Sequence, residues 1–350
     1  MGSQFTDSKH AVAHIFNSAI AAPAIAAAWE IGFLDELLKQ QEVSITDYAE
    51  QHDLDLASLK GLASALATVH IVKRDANTVT AGTHLHEAYR NKSLFHWLTL
   101  GSGTLFARMQ HVLRNENRTG SFYSRDSAAI AYACREANAE FFDPMFWKAM
   151  GEIDYQVHSV VDLGCGSGEK LMQILERYPG TKAIGIDIAQ PAVEFATAES
   201  VRRGLSDRLT FTQGDACALE YRDEFSEVDL LTSFLMGHDF WPREDCVGSL
   251  KSLRAAFPNV RRFLLCDTAR VLLDSPDKGD TSRSRYAVTE DDVPLFTLGF
   301  EFGHALMDTF IPTIEDWEGV LEEGGWRCKK SYTFPPSLSF CMDLEPINQD

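Results

Sequence analysis

The sequence lacks any CxxC pair, although it contains seven cysteines. They are odd in number and widely scattered, a pattern that supports neither a disulfide framework nor a thiolate zinc site. Basic residues are also scarce, with 32 Lys and Arg against 51 Asp and Glu and a net charge of −19. Because binding to a phosphate backbone needs clustered Lys and Arg, nucleic acid is excluded as an expected partner.

Long hydrophobic runs are missing as well. The most apolar stretch, 20–28, contains Pro23 and is shorter than the roughly 20 residues of a membrane-spanning helix. The sequence shows no export signal, so it predicts a cytoplasmic protein that makes no membrane contact. With 350 residues, 45% hydrophobic and 24% charged, the chain is long enough for two globular domains.

Two regions differ in their periodicity. Residues 10–150 carry helical spacing almost throughout, whereas 159–269 alternate short β-rich runs with helical ones, as a parallel α/β sheet does. We therefore predict a helical dimerisation and substrate-lid domain over 1–154. A Rossmann-like α/β domain is predicted over 155–350.

A winged-helix layout is predicted within the first region. Residues 44–54 and 55–70 indicate two short helices, and the β-like run 71–79 follows them. A DNA-binding helix should be basic, but the acids Asp47, Glu50, Asp53 and Asp55 outnumber the single Lys60. The alanine-rich, apolar helices between Ala11 and Leu38 instead favour a dimer interface, so we expect a homodimer.

The end of the chain contains a polar segment and a predicted hairpin. Residues 275–285 include no large apolar side chain, which indicates a mobile surface loop. Thr313 and Asp316 can begin a capped helix that Gly324 and Gly325 stop. Strand-like runs at 326–333 and 338–344 predict a closing hairpin at the edge of the sheet.

The run SVVDLGCGSG (159–168) predicts a buried strand that turns through Gly164, Gly166 and Gly168 into an amphipathic helix. Glycines let the backbone approach a ligand closely. Asp187 ends the next strand, AIGID, where a carboxylate can accept both hydroxyls of a ribose. Asp215, followed by Ala216, ends the third strand and is placed to receive an adenine amino group.

A dinucleotide dehydrogenase also needs a glycine turn and an acid on the second strand. Its loop is normally GxGxxG, whereas this sequence has GxGxG, and Asp162 precedes the first glycine, suited to the cationic methionine end of S-adenosylmethionine (SAM). The string DLGCGSG, with GID and GDA, resembles the class I SAM-dependent methyltransferases. A ligand-free α/β turn is the structural alternative.

The fourth predicted strand, 228–236, delivers Gly237, His238 and Asp239 to the carboxyl edge of the sheet, where α/β proteins bind ligands. The segment LMGHDFWPRED resembles the histidine motif of small-molecule O-methyltransferases, and residues 10–110 resemble their helical dimerisation domain. That resemblance implies that His238 is a general base that deprotonates a hydroxyl.

A second histidine lies on a predicted buried helix, 297–310. Glu301 and His304 share one face of it at i and i+3 spacing, which is a known arrangement of metal ligands. The same spacing on an apolar helix also occurs as a satisfied core pair.

Seven further strings cover nearly the whole chain and resemble the α-keto acid C-methyltransferases of nonribosomal-peptide pathways. They are SLFHWLxxGSG (93–103), NENRTGxFY (115–123), YACRE (132–136), MGHDFWPRE (236–244), LRAAFPNVRRFLL (253–265), FTLGFEFGH (296–304) and EEGGWRC (322–328). The resemblance implies methylation of the β-carbon of a 2-oxo acid with the help of a bound metal ion.

Through those motifs, the resemblance implies that His238 and His304 are metal ligands, with Glu301 as a further one. Iron is the first metal expected and zinc the second, since two histidines with oxygen ligands suit several divalent ions. Asp239 would be a base or a partner of His238, and Arg125 would bind the substrate carboxylate. Trp97 and Ser102 would help to wall the pocket. Without the resemblance, Arg125 could be a surface residue, Asp239 a helix cap and Trp97 part of the core.

The substrates that the family implies are phenylpyruvate, 4-methyl-2-oxovalerate and 5-guanidino-2-oxovalerate. The spacing puts Asp308 one helical turn beyond His304, where a carboxylate could pair with guanidinium, so the sequence favours the guanidino acid. Two other functions stay open: a metal-independent O-methyltransferase with His238 as base, and a non-catalytic module that only binds SAM.

Overall fold

A computed structural model of the chain describes residues 2–273, 284–334 and 338–347, with side chains from residue 7 onward. The chain divides into two compact units, Met1–Ala137 and Asn138–Asp350. The division falls before the predicted boundary near residue 155, because helix α10 (Asp143–Gly151) packs on the sheet of the second unit. In that packing, the ring of Phe146 lies 5.1 Å from the ring of Phe234 on a central strand.

The first unit has the winged-helix layout that its sequence indicates. Its helices are α1 (Gly2–Glu30), α2 (Phe33–Lys39), α3 (Ile45–Gln51), α4 (Leu56–Thr68), α5 (Leu85–Arg90), α6 (Lys92–His96), α7 (Gly103–Ala107), α8 (Met109–Val112) and α9 (Ser127–Ala137). Its strands β1 (Glu42–Ser44), β2 (Val72–Asp75) and β3 (Thr78–Ala81) form an antiparallel sheet in the order β1-β3-β2. Asp55 begins α4 by accepting a hydrogen bond from the backbone of Ser58 at 2.7 Å, so it is a cap rather than a recognition residue.

Helix α1 is longer than the apolar stretch 20–28 suggests. Residues Asp7–Glu30 are long and apolar enough to cross a membrane by length and composition alone, and 22% of the most apolar window is buried. The sequence interpretation of this segment as too short was therefore wrong, because the helix continues through Pro23. A core helix or a signal sequence meets the same test, so a cytoplasmic location stays a prediction.

The second unit is the predicted Rossmann-like domain. Its strands are β4 (Ser159–Leu163), β5 (Lys182–Asp187), β6 (Leu209–Gln213), β7 (Leu230–Phe234), β8 (Arg262–Thr268), β9 (Trp326–Phe334) and β10 (Ser339–Pro346), in the order β6-β5-β4-β7-β8-β10-β9. The first five strands are parallel, and β4, β7 and β8 are wholly buried. Helices α11 (Glu169–Arg177), α12 (Gln190–Arg202), α13 (Arg243–Ala256), α14 (Thr297–Leu306) and α15 (Ile314–Leu321) complete the unit with α10.

The chain ends in the predicted hairpin, with one difference. Strand β10 lies between β8 and β9, antiparallel to both, so the sheet edge is β9 rather than the last strand. The predicted cap of α15 is present, since the Thr313 side chain and Asp316 exchange hydrogen bonds with each other's backbone. Most of the polar segment 275–285 lies outside the described residues.

Candidate active site

The loop after β4 keeps its glycines in backbone conformations that other residues seldom adopt. Gly164, Gly166 and Gly168 have φ values of 70°, 52° and 74°. A Cβ at Gly168 would lie 2.4 Å from the ring of Phe211, whereas a Cβ at Gly166 would meet nothing within 4 Å. Gly168 therefore packs against the sheet, while Gly166 faces open space where a ligand can approach the backbone.

Asp187 closes this loop from the neighbouring strand. One oxygen accepts a hydrogen bond from the Gly166 backbone at 2.9 Å, and the other accepts one from Ala189 at 2.9 Å. The next residue, Ile188, is 67% exposed, an apolar surface beside the acid that the sequence analysis did not single out. Asp215 is exposed and accepts from the Cys217 backbone at 2.9 Å, with Ala216 buried beside it. The predicted cofactor acids thus stand at the carboxyl ends of β5 and β6.

Asp162 is buried within β4, where Thr232 Oγ1 donates a hydrogen bond to it at 2.7 Å. Burial raises the pKa of the carboxyl to about 7, although the Thr232 hydroxyl and the charge of Lys170 lower it. Lys170, at the start of α11, is itself buried and forms an ion pair with Asp143. The acid before the glycine loop is therefore a deeply buried group whose ionisation depends on its neighbours.

His238 follows β7 in a short 3₁₀ turn, Gly237–Phe240, and is 5% exposed. Its Nδ1 lies 3.0 Å from Oδ1 of Asp267, and its backbone N–H donates to Oδ2 at 2.8 Å. A carboxylate only accepts hydrogen bonds, so Nδ1 of His238 carries a proton and donates it to Asp267. Sequence analysis missed Asp267, whose one signal is a carboxyl group directly after the apolar residues 263–266 of β8.

His304 lies on α14 with its ring against that of His238. The two ring centroids are 4.8 Å apart, and the ring of Phe300 lies 4.1 Å from His304 and 5.3 Å from His238. His304 Nδ1 donates to the backbone oxygen of Phe300 at 2.7 Å. Both imidazoles are therefore buried, neighbouring and fixed in the same tautomer.

Two bulky residues with left-handed backbone angles flank this pair. Leu235, between β7 and the His238 turn, has φ 53°, and Phe296, directly before α14, has φ 78°. Such conformations cost about 1–3 kcal/mol each and collect at functional sites. Each of the two segments that carry the histidines thus contains a residue with a strained backbone.

The paired imidazoles fit a metal ion. Two rings on one ion, with nitrogen–metal bonds of about 2.1 Å and a bond angle of about 100°, have centroids about 5 Å apart. The observed 4.8 Å agrees with this value. Among the residues that the structure describes, no group of three or more His, Cys, Asp or Glu is arranged to hold a metal. Within the described residues, the two imidazoles thus match the spacing of a metal-bound pair without forming a complete set of protein ligands.

The three acids predicted for this site have different surroundings. Asp239 is exposed, and a further acid, Asp267, binds the His238 ring. Glu301 is half-buried, and this burial raises the pKa of its carboxyl while Arg270 lowers it. Asp308 is exposed and lies beyond the end of α14 at Leu306.

The predicted position of Asp308 on the helix was wrong for a physical reason. The backbone of Met307 and of Thr309 both donate to the His304 oxygen, at 2.8 and 2.9 Å, which ends the helix. Asp308 then takes a left-handed conformation with φ 69°, as residues after a helix end often do. Asp308 therefore does not share a helix face with His304. The shared face was the reason to favour a guanidino substrate, so that reason no longer applies.

The remaining predicted residues belong to the first unit, where they lie near each other. Trp97 begins a π-helical turn that ends at Gly101, and the Asp126 backbone donates to the Gly101 oxygen at 2.9 Å, which brings Arg125 beside this turn. Trp97 and Ser102 are buried. Within the described part of the chain, the Ser102 hydroxyl has no hydrogen-bond partner.

Comparison with known proteins shows that this chain is similar to methyltransferases. The family profile described as a methyltransferase domain matches residues 160–258. The methyltransferase ungE′ of Aspergillus campestris is 55% identical over 346 residues, which cover 99% of each protein. The chain belongs to the class I SAM-dependent methyltransferases and is an enzyme of that family.

More distant relatives differ in the atom that they methylate. Indolepyruvate C-methyltransferase of Streptomyces griseus is 26% identical over 96% of this chain and 94% of its own length. The solved structure of a mitomycin 7-O-methyltransferase has a TM-score of 0.65 at 19% identity, covering 99% of this chain and 100% of that one. Human N-acetylserotonin methyltransferase with SAM has a TM-score of 0.67 at 16% identity, covering 97% and 98%. At such identities the structures show a shared fold.

Proposed function

We propose that the enzyme transfers the methyl group of SAM to the β-carbon (C3) of a 2-oxo acid, with a metal ion held by His238 and His304. The observation that carries this proposal is the pair of buried imidazoles, 4.8 Å apart and each fixed through Nδ1. The ion, iron or zinc, would supply positive charge that stabilises the negative charge developing on the keto oxygen when the β-carbon loses a proton.

The chain's own residues would prepare the reaction around that charge. Asp267 keeps the His238 ring oriented, as the partners of metal-binding histidines do. Phe300 packs its ring against both imidazoles. We assign proton removal from the β-carbon to Asp239, the exposed carboxylate next to His238.

An aromatic 2-oxo acid is the substrate class that we favour. The relative from Streptomyces griseus is named for indolepyruvate. In this chain, Phe300 presents an aromatic ring to both histidines, and aromatic rings favour edge-to-face or offset contacts with one another. Phenylpyruvate is therefore placed before 4-methyl-2-oxovalerate and 5-guanidino-2-oxovalerate.

The test is a mass-spectrometric screen of these acids and indole-3-pyruvate with SAM, with and without a chelator. We expect one added methyl group on an aromatic acid, loss of turnover on chelation, and recovery when ferrous or zinc ion is added. Proton NMR identifies the methylated atom, since a methyl on a C–H carbon gives a doublet and an O-methyl gives a singlet. A singlet, or turnover that survives complete metal removal, contradicts the proposal.

A metal-independent O-methyltransferase is the second candidate. The His238–Asp267 pair favours it, because an imidazole held by a carboxylate is a suitable general base for a hydroxyl. The solved structures of O-methyltransferases with this fold also favour this second candidate. It predicts turnover of a phenol or alcohol in the presence of chelator, and a strong loss for His238→Ala with little loss for His304→Ala.

A further inference from the structure

We infer that Met236 is a positioning residue that couples the glycine loop, the candidate cofactor site, to the turn that carries His238. Its side chain packs on the loop, and its backbone begins the turn. The inference rests on the proposed roles of the loop and of His238. Met236 stands between strand β7 and the turn Gly237–Phe240, and no sequence pattern assigned a role to it.

The side chain of Met236 lies directly on Gly164, the first glycine of the loop. A Cβ built on Gly164 would lie 2.7 Å from Cγ of Met236 and 3.0 Å from its Cβ, well inside the usual separation of non-bonded carbons. This contact arises because β4 and β7 are neighbouring parallel strands, and the two residues lie just beyond their carboxyl ends. The Gly164 N–H also donates to the Ile186 oxygen on β5 at 2.8 Å, so the loop is anchored to that strand as well.

The backbone of Met236 begins the turn that carries His238. Its oxygen accepts a hydrogen bond from the N–H of Asp239 at 2.9 Å, which closes the turn. Gly237, the next residue, is packed tightly against β8. A Cβ there would lie 2.7 Å from Leu265 and 3.1 Å from Oδ2 of Asp267. The turn is therefore held by β8 and by the contact of Met236 with the glycine loop.

Met236 is half-buried and packs against the hydrophobic core of this unit. Closely packed side chains transmit a displacement rather than absorb it, so a change in the loop on SAM binding reaches the His238 turn through Met236. Met236 thereby helps to set the distance between the bound cofactor and the histidine. Such distances matter for the reaction, because a displacement of about 1 Å can lower a rate by about 100-fold.

The experiment measures SAM binding by calorimetry and the hydrogen–deuterium exchange of the peptide 235–241 with and without saturating SAM. In the wild type, we expect SAM to slow exchange in this peptide. Met236→Ala removes the Cγ that contacts Gly164, so it should weaken SAM binding roughly 3–30-fold and abolish the slowing. Met236→Leu keeps a Cγ and should restore both. Met109→Ala, at a half-buried methionine on α8 of the first unit, is the matched control.

Gly164→Ala tests the same contact from the loop and remains informative if Met236→Ala does not fold. Its added Cβ would displace Met236, so it should change the exchange of the peptide even without SAM. Gly204→Ala is the control, since Gly204 has an equally left-handed backbone and open space. The double variant of Gly164→Ala with Met236→Ala should lose less SAM affinity than the two single losses predict together, because the clash is relieved.

These measurements need neither a 2-oxo acid nor a metal ion, so they stand even if the proposed carbon methylation fails. A Met236 that only stabilises the fold would lower Tm and leave the effect of SAM on the peptide intact. The inference is overturned if SAM leaves exchange of the peptide unchanged in the wild type. It is equally overturned if Met236→Ala matches Met109→Ala in SAM affinity or in the slowing of exchange.

Discussion

Asp267 receives two hydrogen bonds from His238, one from the backbone N–H at 2.8 Å and one from Nδ1 at 3.0 Å. The carboxylate is fully buried at the end of β8, and it thereby fixes both the turn and the ring. Asp267→Asn should therefore lower kcat by about 10–100-fold, the usual effect of removing the partner of a functional histidine. SAM affinity should stay unchanged. Steady-state kinetics with calorimetry check this, and Asp245→Asn, an exposed acid on α13, is the control.

We expect substitution of either histidine to cause the same loss of metal and of turnover. His238→Ala and His304→Ala are each expected to lose bound metal and more than about 100-fold in turnover, since each removes a ligand rather than a partner of one. Both should retain SAM affinity, because the glycine loop is built by other residues. Metal analysis of the purified variants decides the matter, with His158→Ala as an exposed control. Full metal content in both histidine variants would rule out the ligand assignment.

Glu301 offers a sharper test of the metal ligands. Glu301→Gln should keep its metal content, because within the described residues no third acid, cysteine or histidine completes a group with the two imidazoles. Burial alone raises the pKa of its half-buried carboxyl, against the opposite effect of the Arg270 charge. Loss of metal from Glu301→Gln, with unchanged thermal stability, would make Glu301 the third ligand.

Gly166 should matter for cofactor binding more than for folding. Gly166→Ala places a residue at φ 52°, which costs about 1–2 kcal/mol of stability, but its Cβ meets no protein atom within 4 Å. We therefore expect a modest fall in Tm and a large loss of SAM affinity. Gly204→Ala is the matched control, since that glycine has φ 68° and equal space. Equal SAM affinity in both variants would show that the cofactor does not approach Gly166.

The homodimer expected from the sequence is testable on helix α1. Val12, Ile15, Phe16 and Ile20 are 53–69% exposed and recur at the spacing of one helix face. Light scattering should give the mass of a dimer for the wild type, and Ile15→Glu combined with Phe16→Glu should halve it. Val201→Glu, an equally apolar and 59% exposed position on α12, should leave the mass unchanged. A monomeric wild type contradicts the expectation.

The sequence alone predicted the local elements on which the candidate cofactor site is built. A glycine turn after a buried strand and an acid at the end of the next strand are local patterns, and parallel strands bring their carboxyl ends to one edge of the sheet. Asp187 lies at that edge, where it accepts a hydrogen bond from the Gly166 backbone. The capped start of α15 is local in the same way.

Only the tertiary structure decided the rest. Asp267 reaches His238 because β8 pairs with β7, and the sequence distance between the two residues carries no sign of that contact. His304 reaches His238 through the packing of α14, whereas Asp308 leaves that helix because its last turn closes on the His304 oxygen. Periodicity specifies which side of an element a residue takes. Where an element ends and what it packs against depend on contacts between distant residues, which the order of residues along the chain does not display.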